Sequence, residues 1–261
     1  MHQTGILKKL ARNRVVAAVT VFLCLAVPLG TVANAGAGIP TSPRARKAIR
    51  RVSPELKTTL ARADLAYGAP IFIRIFKQEK RLELWVRQGH RFALFKAYPV
   101  CTYGGRGLGP KTQQGDRKAP EGFYYVPPAA LNPLSKFHLS FNLGYPNRYD
   151  RAHDRTGGAL MVHGDCVSIG CYAMTHRGIE EIFALADAAF RNGQRFFRVH
   201  IFPFHMTDTH MEGYGRSPWR SFWENLKEGY DFFERNGHIP PNVEVKDRRY
   251  IFNEPRRASG G

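Results

Sequence analysis

The chain has 261 residues, of which 43% are hydrophobic, and this suits one globular domain of up to about 200 residues plus a tail or two. Its formal net charge of +18 at pH 7 draws it towards polyanions, although much of that charge can also form a solvated face that keeps the protein soluble. The sequence has no internal repeat, which excludes a solenoid.

The first 35 residues predict a secretory signal peptide. Four basic residues precede an apolar run at 15–30, and Ala33-Asn34-Ala35 then offers a small-x-small cleavage site. The run has 16 residues and contains Pro28, which falls short of the roughly 20 apolar residues that a spanning helix needs. We therefore expect cleavage after Ala35, export, and no transmembrane anchor in the mature protein. The alternative is that the segment is retained as an anchor.

Residues 36–68 predict a basic linker that ends in a short helix. Gly, Pro and Ser come first, and the basic run 44–51 follows. Ser53 as N-cap and Pro54 at the first helical position then indicate a helix to about Ala66.

Residues 69–247 predict one β-rich α+β domain with mixed or antiparallel sheets and peripheral helices. Short β-rich runs predict strands, and the first three predict an antiparallel meander. The predicted strands are 71–76, 82–86, 92–98, 123–126, 137–143, 159–162, 195–202 and 243–245. Apolar residues at helical spacing predict a helix over 178–191 and an amphipathic aromatic helix over 219–233. A polar loop is expected at 144–155 and a loose tail at 248–261.

One stretch carries the candidate chemistry. His163 ends the apolar run 159–162, and Cys171 follows Gly170 in a turn that leads towards a helix. A neighbouring imidazole and a helix N-terminus can lower the pKa of a thiol, so His163 is the candidate base and Cys171 the nucleophile. The backbone N–H groups of Ile169, Gly170 and Cys171 could receive an oxyanion. This set of groups predicts acyl transfer through a thioester.

The same stretch also permits a zinc knuckle. His163, Cys166, Cys171 and His176 follow the 2-4-4 spacing of a tetrahedral Cys2His2 site, which in a basic chain would suggest a nucleic-acid-binding module. A knuckle has little apolar content, however, whereas this stretch sits between a strand and a helix of a larger domain. We therefore expect no metal, no organic cofactor and no nucleic-acid partner.

Three cysteines remain once the signal peptide is removed: Cys101, Cys166 and Cys171. An oxidising compartment permits one disulfide bond and leaves at least one thiol free. A Cys101–Cys166 bond is compatible with a reactive Cys171, whereas a Cys166–Cys171 bond would store the nucleophile in an inactive form. The sequence leaves both pairings open.

Separated motifs in the chain resemble a known family. His163-Gly164 followed by Ser168-Ile169-Gly170-Cys171 is similar to the His-Gly and [Ser/Thr]-x-Gly-Cys signature of the YkuD-type L,D-transpeptidases, which remodel bacterial peptidoglycan. Further segments resemble the YafK-like branch of that family. They are Leu108-Gly-Pro-Lys-Thr112, Gly115-Asp116, Ala119-Pro-Glu-Gly-Phe-Tyr124, Phe141-Asn-Leu-Gly-Tyr-Pro-Asn147 and Gly170-Cys-Tyr-Ala-Met174.

The resemblance implies an exported, periplasmic enzyme that acts on the peptide stems of peptidoglycan. Cys171 would attack the carbonyl at the L-centre of meso-diaminopimelate, His163 would take the thiol proton, and the Gly164 carbonyl would orient the imidazole. Position 173 is Ala where the family often carries Arg or Asn, so transferase and hydrolase both stay open. The hydrolase alternative would cleave the link between peptidoglycan and a lipoprotein.

Five residues are predicted to contact the substrate. They are Ser168, Tyr172, Arg155, Tyr145 and Gly122. Ser168 could also support its loop by hydrogen bonding. Arg155 could instead form an ion pair with Asp150 or Asp154, and Gly122 could belong to a plain tight turn.

Overall fold

The computed structural model describes residues 38–105 and 107–254. The predicted signal peptide and residues 255–261 of the predicted tail lie outside this range. Across the described residues, no helix has the length and apolar character needed to cross a membrane.

The described part of the chain contains five α-helices, one short 3-10 helix (Pro128–Ala130) and eleven strands. The helices are α1 (Pro43–Arg62), α2 (Arg148–Ala152), α3 (His176–Arg191), α4 (Asp208–Gly213) and α5 (Arg220–Arg235). The first strands are β1 (Ile71–Phe76), β2 (Arg81–Gln88), β3 (Arg91–Thr102), β4 (Gly122–Val126), β5 (Leu131–Asn132) and β6 (Ser140–Asn142). The remaining strands are β7 (Met161–His163), β8 (Tyr172–Met174), β9 (Phe197–Phe202), β10 (Asn242–Lys246) and β11 (Arg249–Asn253).

Nine strands form one mixed sheet in the order β4-β9-β1-β2-β3-β8-β7-β6-β5, and β10 and β11 pair separately. The predicted meander is confirmed, because β1, β2 and β3 pair antiparallel in sequence. Two pairs are parallel, β1 with β9 and β7 with β8. The α+β class with mixed strand directions therefore agrees with the prediction.

Strand β1 is buried on both faces. Its isoleucines, Ile71, Ile73 and Ile75, pack in the core that includes the buried residues of α1 and α3. Its Phe72 faces the other way, with its ring centroid 5.1 Å from that of Phe233 in α5. Because successive side chains of a strand point to opposite faces, helices must cover both sides of the sheet here.

The predicted start of the first helix is wrong. The helix begins at Pro43, where the Ser42 hydroxyl accepts a hydrogen bond from the Ala45 N–H, and Pro54 lies inside it. Buried residues recur along its whole length, namely Ala45, Ala48, Val52, Leu56 and Leu60. The free energy gained by burying this stripe outweighs the cost of the backbone hydrogen bond that Pro54 cannot make. The segment is a packed helix rather than a solvated linker.

Other boundaries also differ from the predictions. The predicted loop 144–155 contains α2, whose start is fixed by a capping box between Asn147 and Asp150. The predicted strand 137–143 is paired only over β6. The predicted loose tail is wrong for 249–253, because β11 pairs with β10 and its Tyr250 is buried.

Candidate active site

Parallel pairing of β7 with β8 brings the predicted base and nucleophile together. Val162 pairs with Tyr172 and His163 with Ala173, so one position earlier Met161 lies opposite Cys171. The Met161 N–H donates to the Cys171 Sγ at 3.4 Å, which agrees with that register. Paired residues, and residues two apart on one strand, point to the same face of a sheet. The thiol and the imidazole therefore share one face of the sheet.

The His163 imidazole is held in one tautomer. Its Nδ1 lies 2.5 Å from the Gly164 carbonyl oxygen, which can only accept, so Nδ1 carries the proton and Nε2 has a free lone pair. The Phe137 ring covers the imidazole, with ring centroids 4.6 Å apart. Burial lowers the pKa of His163 below its usual value, against the opposing effect of the Gly164 carbonyl. The ring is therefore a neutral base at neutral pH.

Position 164 has no room for a side chain. A Cβ there would lie 2.9 Å from the Phe137 carbonyl oxygen and 3.1 Å from the His176 ring. The Gly164 N–H donates to that same Phe137 carbonyl at 3.1 Å. Glycine thus lets the chain turn sharply after His163 and present its own carbonyl to the ring.

The thiol is neutral in the resting state. Burial raises the pKa of Cys171, and the Met161 N–H and the charge of Lys111 oppose this effect only in part. The sulfur's hydrogen bonds go to backbone groups, since it accepts from Met161 and donates to the Ala159 carbonyl at 3.8 Å. The expectation of a lowered thiol pKa is wrong here, because β8 separates Cys171 from the helix that begins at His176 and desolvation dominates.

The loop before Cys171 is organised around the Ser168 hydroxyl. This oxygen accepts from the N–H of Gly170 at 3.0 Å and from the N–H of Cys171 at 2.7 Å, and it donates to the Cys171 carbonyl at 2.7 Å. Two of the three amides predicted to receive an oxyanion are therefore paired with Ser168 in this conformation. The third predicted amide is the backbone N–H of Ile169, a residue that is 83% exposed.

Gly170 lets a second loop lie directly against this one. Its φ of +149° suits glycine, and a Cβ would lie 3.3 Å from the Lys118 carbonyl oxygen. On the facing loop, a Cβ at Gly104 would come within 2.8 Å of the Gly170 nitrogen. Backbone contact between the two loops thus fixes the path of the chain into Cys171.

A disulfide bond joins Cys101 of β3 to Cys166, and Cys171 is a free thiol. Of the two pairings that the sequence leaves open, this is the one that leaves the nucleophile reactive. The Cys166 N–H also donates to the Met174 carbonyl at 3.2 Å, so the loop is fastened at its start. The zinc-knuckle alternative requires Cys166 as a ligand, and its sulfur is already bonded to Cys101.

Comparisons with known proteins identify the family of the chain. Residues 70–201 match the YkuD family, described as the L,D-transpeptidase catalytic domain. The chain belongs to this family. It is 50% identical over 188 residues to the "Putative L,D-transpeptidase YafK" of Escherichia coli strain K12, covering 72% of this chain and 76% of that protein. The protein of the same name from strain O157:H7 matches equally well.

Among solved structures, two crystal structures of the helical cell shape determining protein Pgp2 from Campylobacter jejuni are similar, each with a TM-score of 0.43. Their identities to this chain are 18% and 17%. The matches cover 65% and 68% of this chain, and 58% and 73% of the Pgp2 chains.

In this L,D-transpeptidase domain, most of the residues that were predicted to contact the substrate make hydrogen bonds within the fold instead. Tyr172 is fully buried and its hydroxyl donates to the Pro120 carbonyl at 2.7 Å. The Tyr145 hydroxyl, also buried, lies 3.3 Å from the Lys111 carbonyl oxygen. Ser168 is engaged within its own loop. The side chains of both tyrosines therefore point into the fold.

Arg155 and Gly122 are likewise structural in this L,D-transpeptidase domain. Arg155 is buried and pairs with Asp150 at 2.8 Å, which is the ion-pair alternative. Gly122 lies in β4, where a Cβ would come 2.5 Å from the Tyr250 hydroxyl oxygen, so it accommodates the β10–β11 hairpin. Neither position contributes a free polar group to the thiol.

A groove of about 690 Å³ lies beside β5, β6 and β7, and no pattern in the sequence predicts it. Met161, the neighbour of Cys171, lines one end, and Asn142 and Asn132 of β6 and β5 line it further on. These strands have three and two residues, too few to show a period in the sequence.

Proposed function

We propose that the protein is a cysteine acyl-transfer enzyme that acts on the peptide stems of peptidoglycan. Membership of the L,D-transpeptidase family supports the reaction class. The observation that carries the proposal is the shared face of β7 and β8. There a thiol and an imidazole with a free Nε2 lie on the same side of the sheet.

In the first half-reaction, the Cys171 sulfur attacks the carbonyl at the L-centre of meso-diaminopimelate while His163 Nε2 takes the thiol proton. Burial disfavours both the thiolate and the imidazolium, so proton transfer accompanies attack rather than preceding it. The tetrahedral intermediate collapses with cleavage of the amide bond. The leaving amine takes the proton back from His163, and the acyl group stays on sulfur as a thioester.

The negative charge on the attacked carbonyl oxygen needs the backbone amides before Cys171. The Ser168 hydroxyl already accepts from the N–H groups of Gly170 and Cys171. Rotation of this one side chain would release both amides to the oxyanion, and until then the hydroxyl keeps them pointing the same way. Ser168 is in this proposal a positioning residue, because it acts through the amides and not on the substrate.

In the second half-reaction, an acceptor attacks the thioester while His163 removes its proton, and Cys171 is released. An amine acceptor gives a cross-link and water gives hydrolysis. Position 173, where the family often carries Arg or Asn, is a fully buried Ala in β8. An enzyme without that polar group could favour water, which keeps hydrolysis of a peptidoglycan–lipoprotein link as the alternative.

Muropeptide analysis tests the proposal. Purified stems are incubated with the mature protein and with Cys171→Ala, and the products are separated and weighed by mass spectrometry. New cross-linked species indicate transpeptidation, and released lipoprotein-derived or shortened stems indicate hydrolysis. Identical products from the two proteins would remove the catalytic claim.

Export is part of the proposal. The basic and apolar features of the first 35 residues support it, as does the wall-directed family. N-terminal sequencing of the protein recovered from the periplasm should begin at Gly36. Recovery in the cytoplasmic fraction with residues 1–35 intact would contradict export.

A further inference from the structure

We propose that the exposed face of helix α1 binds the anionic headgroups of a phospholipid membrane and holds the catalytic face of the sheet away from it. This surface is separate from the reaction and depends only on the proposed export, which brings the chain to a membrane. Three features support it: the pattern of charge on α1, the internal partners of the neighbouring charges, and the side of the sheet on which α1 lies.

Four basic residues form one stripe along the outer side of α1. Arg46, Lys47, Arg50 and Lys57 are all exposed. Their spacings of three, four and seven positions place them on one side of the helix, opposite its buried residues. At about 1.5 Å per residue, this basic stripe is about 16 Å long.

The charges of the basic stripe are not used inside the fold. Across the described residues, none of the four forms an ion pair or donates a side-chain hydrogen bond, and Lys57 only lies over the Tyr67 ring at 5.4 Å. The basic residues beside the stripe differ. Arg51 pairs with the buried Glu180, and Arg44 donates to two backbone carbonyls of the loop between β5 and β6. The stripe therefore keeps its charge for a partner outside the fold.

No acidic residue on α1 offsets the basic stripe. Glu55 is the one acidic residue of the helix, and its carboxylate is paired with Arg177 of α3 at 2.5 Å. The first turn has no acidic residue, although the positive end of the helix dipole favours acids there and disfavours Arg44 and Arg46. The basic start of α1 thus costs helix stability, which is expected where an external anion uses the charge.

A flat anionic surface fits this pattern. The apolar residues of α1 are buried in the core, so the helix cannot insert among lipid chains and must bind by charge. It contains no aromatic residue on which a sugar or a base could stack. Clusters of four or more Lys and Arg on a helix are typical of binding to anionic headgroups.

The catalytic face of the sheet points away from α1. In β6, Phe141 pairs with the residue before His163, and that residue pairs with the one after Cys171. The Phe141 ring lies 5.3 Å from Phe197, whose ring lies 5.6 Å from Phe190 of α3, and α1 packs against α3. Successive side chains of a strand alternate between faces, so the thiol and the imidazole point to the other side. A membrane bound at the basic stripe therefore leaves the thiol accessible.

Vesicle sedimentation tests the surface. The mature protein is mixed with vesicles of equimolar phosphatidylcholine and phosphatidylglycerol, or of phosphatidylcholine alone. Lys47→Gln/Arg50→Gln removes two charges from the basic stripe. The matched control, Arg216→Gln/Lys246→Gln, removes one Arg and one Lys charge from exposed positions on other elements, and neither residue has an ion-pair partner among the described residues.

We expect the mature protein to sediment with the anionic vesicles and not with phosphatidylcholine alone. Each basic residue at an anionic surface contributes about fivefold to binding, so the stripe variant should bind about 25-fold more weakly, while the control stays within about twofold of the parent. Salt at about 1 M should abolish binding, because the Debye length falls to about 3 Å. The Tm of the stripe variant should be unchanged or slightly higher, because cations are removed near a helix N-terminus.

Energy transfer tests the orientation. In the Cys171→Ala background, a fluorophore is attached to Ala61→Cys, on the outer side of α1, or to Lys246→Cys, in the hairpin that packs against α5 on the other face. Transfer to a headgroup-labelled lipid should be stronger from position 61. Stronger transfer from position 246 would overturn the orientation.

The remaining outcomes separate the partners and the two proposals. A parent that ignores anionic vesicles, or an equal loss in the stripe and control variants, would overturn the surface. A parent that binds lipid-free sacculi but not vesicles, with loss in the stripe variant, would assign the stripe to wall polymers instead of lipid. The stripe variant should turn over soluble stems at the parent rate. A parent that binds vesicles without turning over stems would overturn the proposed function alone.

Discussion

Removing the Cys101–Cys166 disulfide bond should destabilise the fold by an amount that the chain separation sets. The two cysteines are 65 residues apart in sequence. In the loop-closure model, a cross-link of this span removes about 14 cal/mol/K of entropy from the unfolded chain, which is about 4 kcal/mol at 25 °C. For a domain of this size, such a loss lowers Tm by about 8–16 °C.

The same bond should also support catalysis. It anchors Cys166 five positions before Cys171, at the start of the loop whose amides serve the proposed oxyanion. We expect Cys101→Ser/Cys166→Ser to lower kcat more than it raises KM, because the loop that positions the sulfur loses its tether while the rest of the sheet is retained.

Urea denaturation in the Cys171→Ala background measures the stability effect without thiol exchange. The double serine variant should lose about 4 kcal/mol in the free energy of unfolding relative to its parent. Reductant should lower the stability of the parent by a similar amount and leave the double variant unchanged. A loss below about 1 kcal/mol, or a double variant that responds to reductant, would refute the reasoning.

Further predictions concern titration, a buried ion pair and metal. The His205 ring donates a hydrogen bond to the Glu79 carboxylate, and this bond, with a smaller contribution from Glu83, raises the pKa of His205 to about 9. The stability that protonated His205 contributes is therefore complete below its unfolded pKa of about 6.5 and should be lost as pH rises through 9, so unfolding curves of wild type and His205→Asn should converge above pH 9. Lys77 and Glu121 form a fully buried pair at 2.8 Å, so Lys77→Met should cost about 3–5 kcal/mol in thermal or urea unfolding, and adding Glu121→Gln should recover part of it. Burial raises the pKa of Cys171, so its rate of alkylation by iodoacetamide should reach half-maximum above pH 8.5 in a pH series, and a midpoint near neutrality would contradict this. Dialysis against EDTA should leave amine release from stems unchanged, and a loss that zinc restores would revive the metal-site alternative.

The sequence by itself determined the chemistry-bearing stretch and much of the framework. The short β-rich runs and the polar turns between them in 71–98 predicted the meander, because strand and turn signals are local. The glycines beside His163 and Cys171 marked sharp turns, and the ordered motifs around them pointed to the L,D-transpeptidase family. Local patterns of this kind were enough to predict which residues serve as base and nucleophile.

Only the tertiary structure decided how that stretch is used. The cysteine pairing depended on which strand ends meet, and no spacing in the chain encodes that meeting. The neutral state of Cys171 came from desolvation. The side chains of Tyr172 and Tyr145 proved to be buried inside the fold. The groove formed where very short strands pair across the sheet. Each of these outcomes depends on contacts between residues far apart in the chain, and such contacts set burial, dielectric and direction only after the sheet has assembled.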